Sequence, residues 1–275
     1  MDNALQNFKE TILKEYPRMG MDDTFKFKCY SDISCFNQCC RDINIFLTPY
    51  DVLNLKRKLD ISSTEFLEKY ALMPIDKNQQ YPIVMLRMQD TDEKQCHFVK
   101  EKTGCSVYEN RPWACRMYPI GLASPPEGSS ESEFYFLMHE EKECKGLQED
   151  KSWTLKEWID NEGIERYNEF GELYKSVIQH SFFLEGNQLN TQQMDMFHMV
   201  CYDLDRFRGF VFDSTFLERF EVDETRVNKM REEDEALLEF GYDWLRFSLL
   251  KEPTMKMREE AKAAVQAKAK GDNKQ

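Results

Sequence analysis

Eight of the nine cysteines in this chain fall within residues 29–144: Cys29, Cys35, Cys39, Cys40, Cys96, Cys105, Cys115 and Cys144. Four of them occupy the twelve residues from Cys29 to Cys40, and Cys39 and Cys40 are adjacent. Packing does not call for such density, because a buried cysteine behaves as an isolated small hydrophobe. A thiolate is both a nucleophile and a soft metal ligand. The cluster therefore points to cysteine-ligated iron–sulfur centres, to zinc, or to thiol–disulfide exchange. The ninth, Cys201, stands among Met199, Val200 and Tyr202 on a helical stripe and reads as a buried hydrophobe.

Spacing separates these chemistries in part. Zinc sites usually draw on C-x-x-C knuckles, and the chain has none. Iron–sulfur clusters accept more varied spacing, and eight thiols suffice for two four-iron clusters. Exchange chemistry needs a cysteine pair that the sequence does not single out. Neighbouring side chains in extended backbone diverge, so Cys39 and Cys40 are expected to serve different centres. Arg41, Arg111 and Arg116 lie beside cysteines, where a cation favours thiolate and an N–H can reach sulfur, although each could equally pair with an acid.

Other residues are less informative. His97, His139, His180 and His198 show no ligand spacing with one another, and only His97, beside Cys96, is a reserve ligand or proton carrier. Met194, Met196 and Met199 fit a helical core. No two glycines lie closer than seven residues, which excludes G-x-G-x-x-G and the phosphate loop. H-E-x-x-H and G-x-S-x-G are also missing, and no catalytic residue can be named. A net charge of −13 disfavours nucleic acid and anionic lipid as partners. No apolar run is long enough for membrane insertion. The amino-terminal MDNALQNFKETILKEYPRM lacks a secretory pattern and reads as a short amphipathic helix. A cytoplasmic location is expected, and in that reducing compartment clustered thiols bind metal more often than they form disulfides.

Residues 35–51, CFNQCCRDINIFLTPYD, and 105–120, CSVYENRPWACRMYPI, resemble the YkgJ-type cysteine-cluster family of zinc- or iron-chelating CxxCxxCC domains. The likeness spans roughly residues 25–150. Its pattern falls on Phe27, Cys29, Cys35, Cys39, Cys40 and Arg41, then on Leu47 to Asp51. It continues on Cys96, Phe98, Gly104, Cys105, Tyr108, Arg111, Pro112, Cys115, Arg116, Tyr118 and Pro119. His97 replaces the family's usual proline, and the five residues between Cys29 and Cys35 are more than usual. Cys144-Lys-Gly146 with Trp153-Thr154 is similar to an extension of longer members, which adds a further cysteine. The resemblance implies that all eight clustered cysteines ligate metal.

These residues need elements to carry them. Thr48-Pro-Tyr-Asp51 starts a helix through Leu59; Ser62 or Ser63 caps a second, which Pro74 closes. YPIVMLRM (81–88) and Cys96 to Val99 read as short antiparallel strands that present Cys96. Residues 124–133 form a loop, and FYFLM resumes as a strand. Thr154 then caps a helix reading to Gln179, Thr191 one to Phe207, and Asp223 one to Leu250. GFVFDSTF (209–216) is strand or turn, and the tail beyond Pro253 is a solvated helix. The fold class is α+β: a cysteine-rich metal-binding domain over 1–150 with short strands and helices, a helical region over 151–252 packed on it, and a charged tail over 253–275.

The expected function is a metal-binding protein with one or two 4Fe-4S clusters, in electron transfer, cluster handling or redox sensing, with the helical half docking a protein partner or covering the cluster. Two alternatives remain. One branch of the family resembles the flagellin lysine methylases, which would make the chain a cluster-dependent enzyme, although no methyl-donor pocket is recognisable. The other is a zinc-stapled interaction module. Oligomeric state is open.

Overall fold

Each cysteine hangs on a short strand, a turn or a helix end, so the fold matters here chiefly for how it fixes those segments. The computed structural model describes residues 17–74, 79–123, 133–138 and 144–263. The expected amino-terminal helix lies mainly outside these residues, as do almost all of the 124–133 loop, His139 and the end of the tail. Contacts divide the chain into one unit of residues 1–58 and 85–169 and a second of 59–84 and 170–275. All eight clustered cysteines belong to the first.

The first unit is built from small antiparallel pairings. Strand Thr24–Lys26 pairs with Ser152–Thr154, Val99–Lys100 with Gly104–Cys105, and Ile120–Ala123 with Phe134–Leu137. Phe25, Phe27 and Trp153 set their rings edge-on to Trp158 at 5.9, 5.4 and 5.2 Å. Such edge-to-face packing suits the ring quadrupoles. Both indoles are satisfied: Trp153 Nε1 donates to Phe27 O and Trp158 Nε1 to Met117 O. This aromatic knot ties the residues before Cys29 to those after Cys144.

The helix at Pro49–Leu59 forms as its sequence predicts, with Thr48 Oγ1 accepting from Asp51 N–H at 3.2 Å. The expected ladder of residues 81–88 with 96–99 does not form; Val84–Leu86 is a strand but pairs elsewhere. Only an isolated bridge joins Met88 and Cys96, and the ladder proper begins at Val99. Thr154 and Glu157 make a capping box on helix Leu155–Glu162, but the helix stops at Gly163, whose φ of 59° is left-handed, and a new one begins at Glu165. The single helix expected from Thr154 to Gln179 is therefore two.

The second unit is helical. Ser62 caps helix Ser63–Tyr70 through Glu65 N–H at 3.1 Å. Asp205 accepts from Ser63 N–H at 2.6 Å, and Ser63 Oγ in turn accepts from Asp205 N–H at 2.9 Å, so two helix starts satisfy each other's orphan donors. Asn190, not Thr191, caps Thr191–Cys201; a break at Tyr202 and Asp203 precedes Leu204–Phe212, which absorbs the first part of GFVFDSTF as helix. Asp223 caps Glu224–Glu232, and a separate helix, Asp234–Ser248, follows. Phe197, Phe207, Leu237 and Phe240 are buried at its core. The α+β class holds, with short strands ahead of a mainly helical carboxyl-terminal part. Among the described residues no helix is long and apolar enough to cross a membrane.

Candidate metal centre

The first set of thiols gathers around Cys29. Phe27 N–H donates to Lys151 O at 2.9 Å and Lys28 N–H to Gly146 O at 3.0 Å, so the segment bearing Cys29 runs beside the one bearing Cys144. Cys35 and Cys39 lie on consecutive turns, with Gln38 N–H donating to Cys35 O at 3.0 Å. Asn37, at a φ of 65°, turns the chain into this short helix and anchors it by donating through Nδ2 to Lys100 O and Glu101 O. Tyr118 sets its ring edge-on to Phe27 at 6.0 Å, and its hydroxyl hydrogen-bonds the Cys144 thiol. Burial, and after it the thiols of Cys39, Cys35 and Cys144, push the Cys29 thiol up to about 11. Each of those neighbours opposes a second negative charge among them.

The second set gathers around Cys96. Its N–H donates to Cys40 O at 2.9 Å, Arg41 is bridged to Gln95, and Val99 N–H returns to Cys96 O at 3.2 Å. Val99 pairs with Cys105 in the ladder, which brings Cys105 beside Cys96. Cys115 arrives on the helix Trp113–Met117. Asp51 sets that helix: its Oδ1 accepts Trp113 N–H at 2.8 Å, while its Oδ2 accepts Thr48 N–H and Thr48 Oγ1, each at 2.8 Å. Asp51 is 1% exposed, and burial pushes its carboxyl up to about 6 against these donors. Burial is also the main cause raising the thiols of Cys115, Cys96 and Cys105. Cys96, Asp51 and Cys105 add to the rise at Cys115, and Arg111 opposes it.

Cys39 and Cys40 are where the sets meet. They sit in the 3-10 turn Gln38–Cys40 rather than in extended backbone, and their thiols hydrogen-bond each other instead of diverging. That bond lowers Cys39 to about 7 and raises Cys40, whose other thiol neighbours are Cys115 and Cys96. Cys39, by contrast, acts on Cys29 and Tyr118. The division between two sets is thus present, but a tight turn makes it. Among the described residues no group of three or more His, Cys, Asp or Glu side chains is placed to hold a metal ion as it stands. The thiols are gathered without being converged.

The three arginines differ. Arg111 is buried against Glu162, lies over the Tyr108 ring at 3.7 Å, and lowers both Cys105 and Cys115, so it favours their thiolates. Arg41 pairs with Glu93 at 2.5 Å. Arg116 donates to the carbonyls of Glu162 and Glu109. Sequence spacing does not reveal Glu162, which holds two of these arginines from a helix about fifty residues downstream. Asp51 reads in the sequence only as a first-turn acid, and its reach to Trp113 needs the tertiary fold. His97 is exposed, His180 Nε2 meets Glu252 Oε1 at 3.2 Å, and His198 lies on the Thr191–Cys201 helix, far in sequence from the eight clustered thiols. Cys201 is fully buried in the second unit, as a hydrophobe should be.

Eight free thiols, with the buried carboxylate of Asp51 behind Cys115, make this a cysteine-rich unit. Residues 28–145 match the family model CxxCxxCC, described as "Putative zinc- or iron-chelating domain". The match covers the cysteine-rich segment of this chain, and it supports metal binding in a general sense. No curated protein and no solved structure matched the chain.

Proposed function

We propose that the cysteine-rich unit binds iron as one or two 4Fe-4S clusters, with Cys29, Cys35, Cys39, Cys40, Cys96, Cys105, Cys115 and Cys144 as ligands, and that the protein acts in electron transfer, cluster handling or redox sensing. What supports this reading is the gathering of eight free thiols in one unit, with Cys96 N–H bonded to the Cys40 carbonyl, Cys105 paired to Val99 and the Cys29 segment bonded to Gly146 beside Cys144; eight thiols would suffice for two four-iron clusters. The donor set fits: soft sulfur, one cationic neighbour in Arg111, and no hard oxygen shell. When bound, such a cluster supplies one-electron chemistry or a transferable cofactor. The chain's own residues bind and tune it. Arg111 favours thiolate at Cys105 and Cys115, Asp51 fixes the start of the Cys115 helix, and the Tyr118 hydroxyl contacts Cys144.

Purification without oxygen, a visible spectrum, and counts of iron, sulfide and zinc per chain test this. Brown protein with about four or eight irons is expected. Colourless protein holding one zinc would refute it and favour the stapled interaction module. Cys40→Ala and Cys115→Ala should lose metal, whereas Cys201→Ala should keep all of it; equal loss from Cys201→Ala would show the ligand set to be wrong.

A further inference from the structure

The two sets of thiols are built on different kinds of scaffold. Of the first set Cys29 and Cys39 are exposed, Cys35 is half-buried and Cys144 is buried, and Cys29 follows directly on Lys28, whose N–H bond to Gly146 is the last backbone pairing before the turns that lead to Cys35. In the other set no cysteine is exposed. Cys96 is buried, Cys105 lies in a ladder, Cys40 is clasped through its carbonyl by Cys96 N–H, and Cys115 rides on a helix bracketed by the buried Asp51. Local opening takes less free energy where exposed turns carry the ligand than where ladder and core must break. A thiol facing solvent is also one that an incoming ligand can displace.

We propose that the two sets load as two separate centres of unequal lability: Cys29, Cys35, Cys39 and Cys144 form an outer, exchangeable centre, and Cys40, Cys96, Cys105 and Cys115 an inner, permanent one. The proposal rests on the metal-binding reading above and adds which thiols share a centre and which centre gives up its metal. Its ligand class is thiolate-bound iron or zinc that passes to another thiol. Cys29 leaves first. Its sulfur–metal bond breaks, the incoming thiol forms the new bond, and the proton of that thiol moves to Cys29, with no change of oxidation state. Cys39 and Cys40, joined by one peptide bond, mark the border between the centres.

The test uses the full chain, purified without oxygen and metal-loaded, mixed with excess EDTA, with bound metal counted against time after desalting. Two phases of comparable amplitude are expected, the fast one at least ~10-fold quicker than the slow. Cys29→Ser should abolish the fast phase and leave the slow one unchanged. Iodoacetamide footprinting of the wild-type chain gives a second reading that needs no variant. Cys29, Cys35 and Cys39 should become alkylated as the fast phase ends, with Cys40, Cys96, Cys105 and Cys115 still protected. A single release phase, loss of all metal in Cys29→Ser, or labelling that mixes the two sets would overturn the proposal and leave metal binding intact. Wild-type protein that holds no metal would overturn both.

Discussion

Gly146→Ala adds one methyl group and touches no thiol, yet it should weaken the outer centre. A Cβ at Gly146 would lie 2.9 Å from Phe27 Cε2, 3.0 Å from the Lys28 carbonyl oxygen and 3.2 Å from Phe27 Cδ2. The ring has little room to retreat, because Trp158 meets it edge-on at 5.4 Å and Tyr118 at 6.0 Å. The backbone must yield instead, and the 3.0 Å bond from Lys28 N–H to Gly146 O is what brings the Cys29 and Cys144 segments together. Overpacking costs ~1–3 kcal/mol. Loss of the hydrogen bond adds about 1 kcal/mol. Stiffening of the unfolded chain returns ~0.4–1 kcal/mol. The net loss should be about 2 kcal/mol, read as a lower urea midpoint at unchanged slope. A matched control is Gly171→Ala, where a Cβ meets nothing within 4 Å inside helix Glu165–Ile178; it should stabilise by ~0.5–1 kcal/mol. Metal counting completes the assay: Gly146→Ala should lose the fast-releasing metal and Gly171→Ala should keep it. If Gly146→Ala matches wild type in both midpoint and metal, the Lys28–Gly146 pairing is not what assembles this set.

Asp51→Ala should destabilise by about 2 kcal/mol, because two backbone N–H groups lose their acceptor, partly offset by relief from burying a charge. It should also deplete the slow-releasing metal through the misplaced Cys115 helix; a wild-type melting curve with full metal would contradict the role given to Asp51. Metal affinity should rise with pH. The thiols of Cys29, Cys96, Cys105 and Cys115 are held above their ordinary value, so they are protonated near neutrality and must release protons on binding as thiolates. Titration in weak buffer should therefore acidify the solution, and binding without proton release would count against thiolate ligation.

The sequence was most legible where chemistry and local rules coincide. Cysteine density named the candidate site without any fold, and Thr48, Ser62, Thr154 and Asp223 marked helix starts because a cap is a local matter between neighbours. Helix ends were harder. Gly163 stops one helix and Gln179 was read as the end of it, since a glycine inside an amphipathic pattern is tolerated often enough to hide a left-handed cap. The break at Tyr202 and Asp203 was hidden likewise, because apolar periodicity continues across it and Asp203 reads as an ordinary surface acid, although it is buried on Ser63 and Thr64. What joins Asp51 to Trp113, or Arg111 to Glu162, is tertiary, and neither pairing leaves a trace in spacing.

Cys39 and Cys40 differ in their further neighbours for a reason that spacing does not show. Extended backbone would have sent the two thiols to opposite faces; the turn through Asn37 keeps them in contact, and yet their further neighbours differ. The reason lies in what approaches from either side. The 28–29 segment, tied to Gly146, comes to Cys39, and the Cys96 strand, through its N–H to the Cys40 carbonyl, comes to Cys40. A dipeptide held at a border between two approaching segments needs no divergence of its own to serve both. The same argument explains the doublet: a spacer residue between the two cysteines would lengthen the turn by roughly 2 Å of helical rise and withdraw one thiol from its set. Adjacency thus lets one short turn bring sulfur to two differently built surroundings.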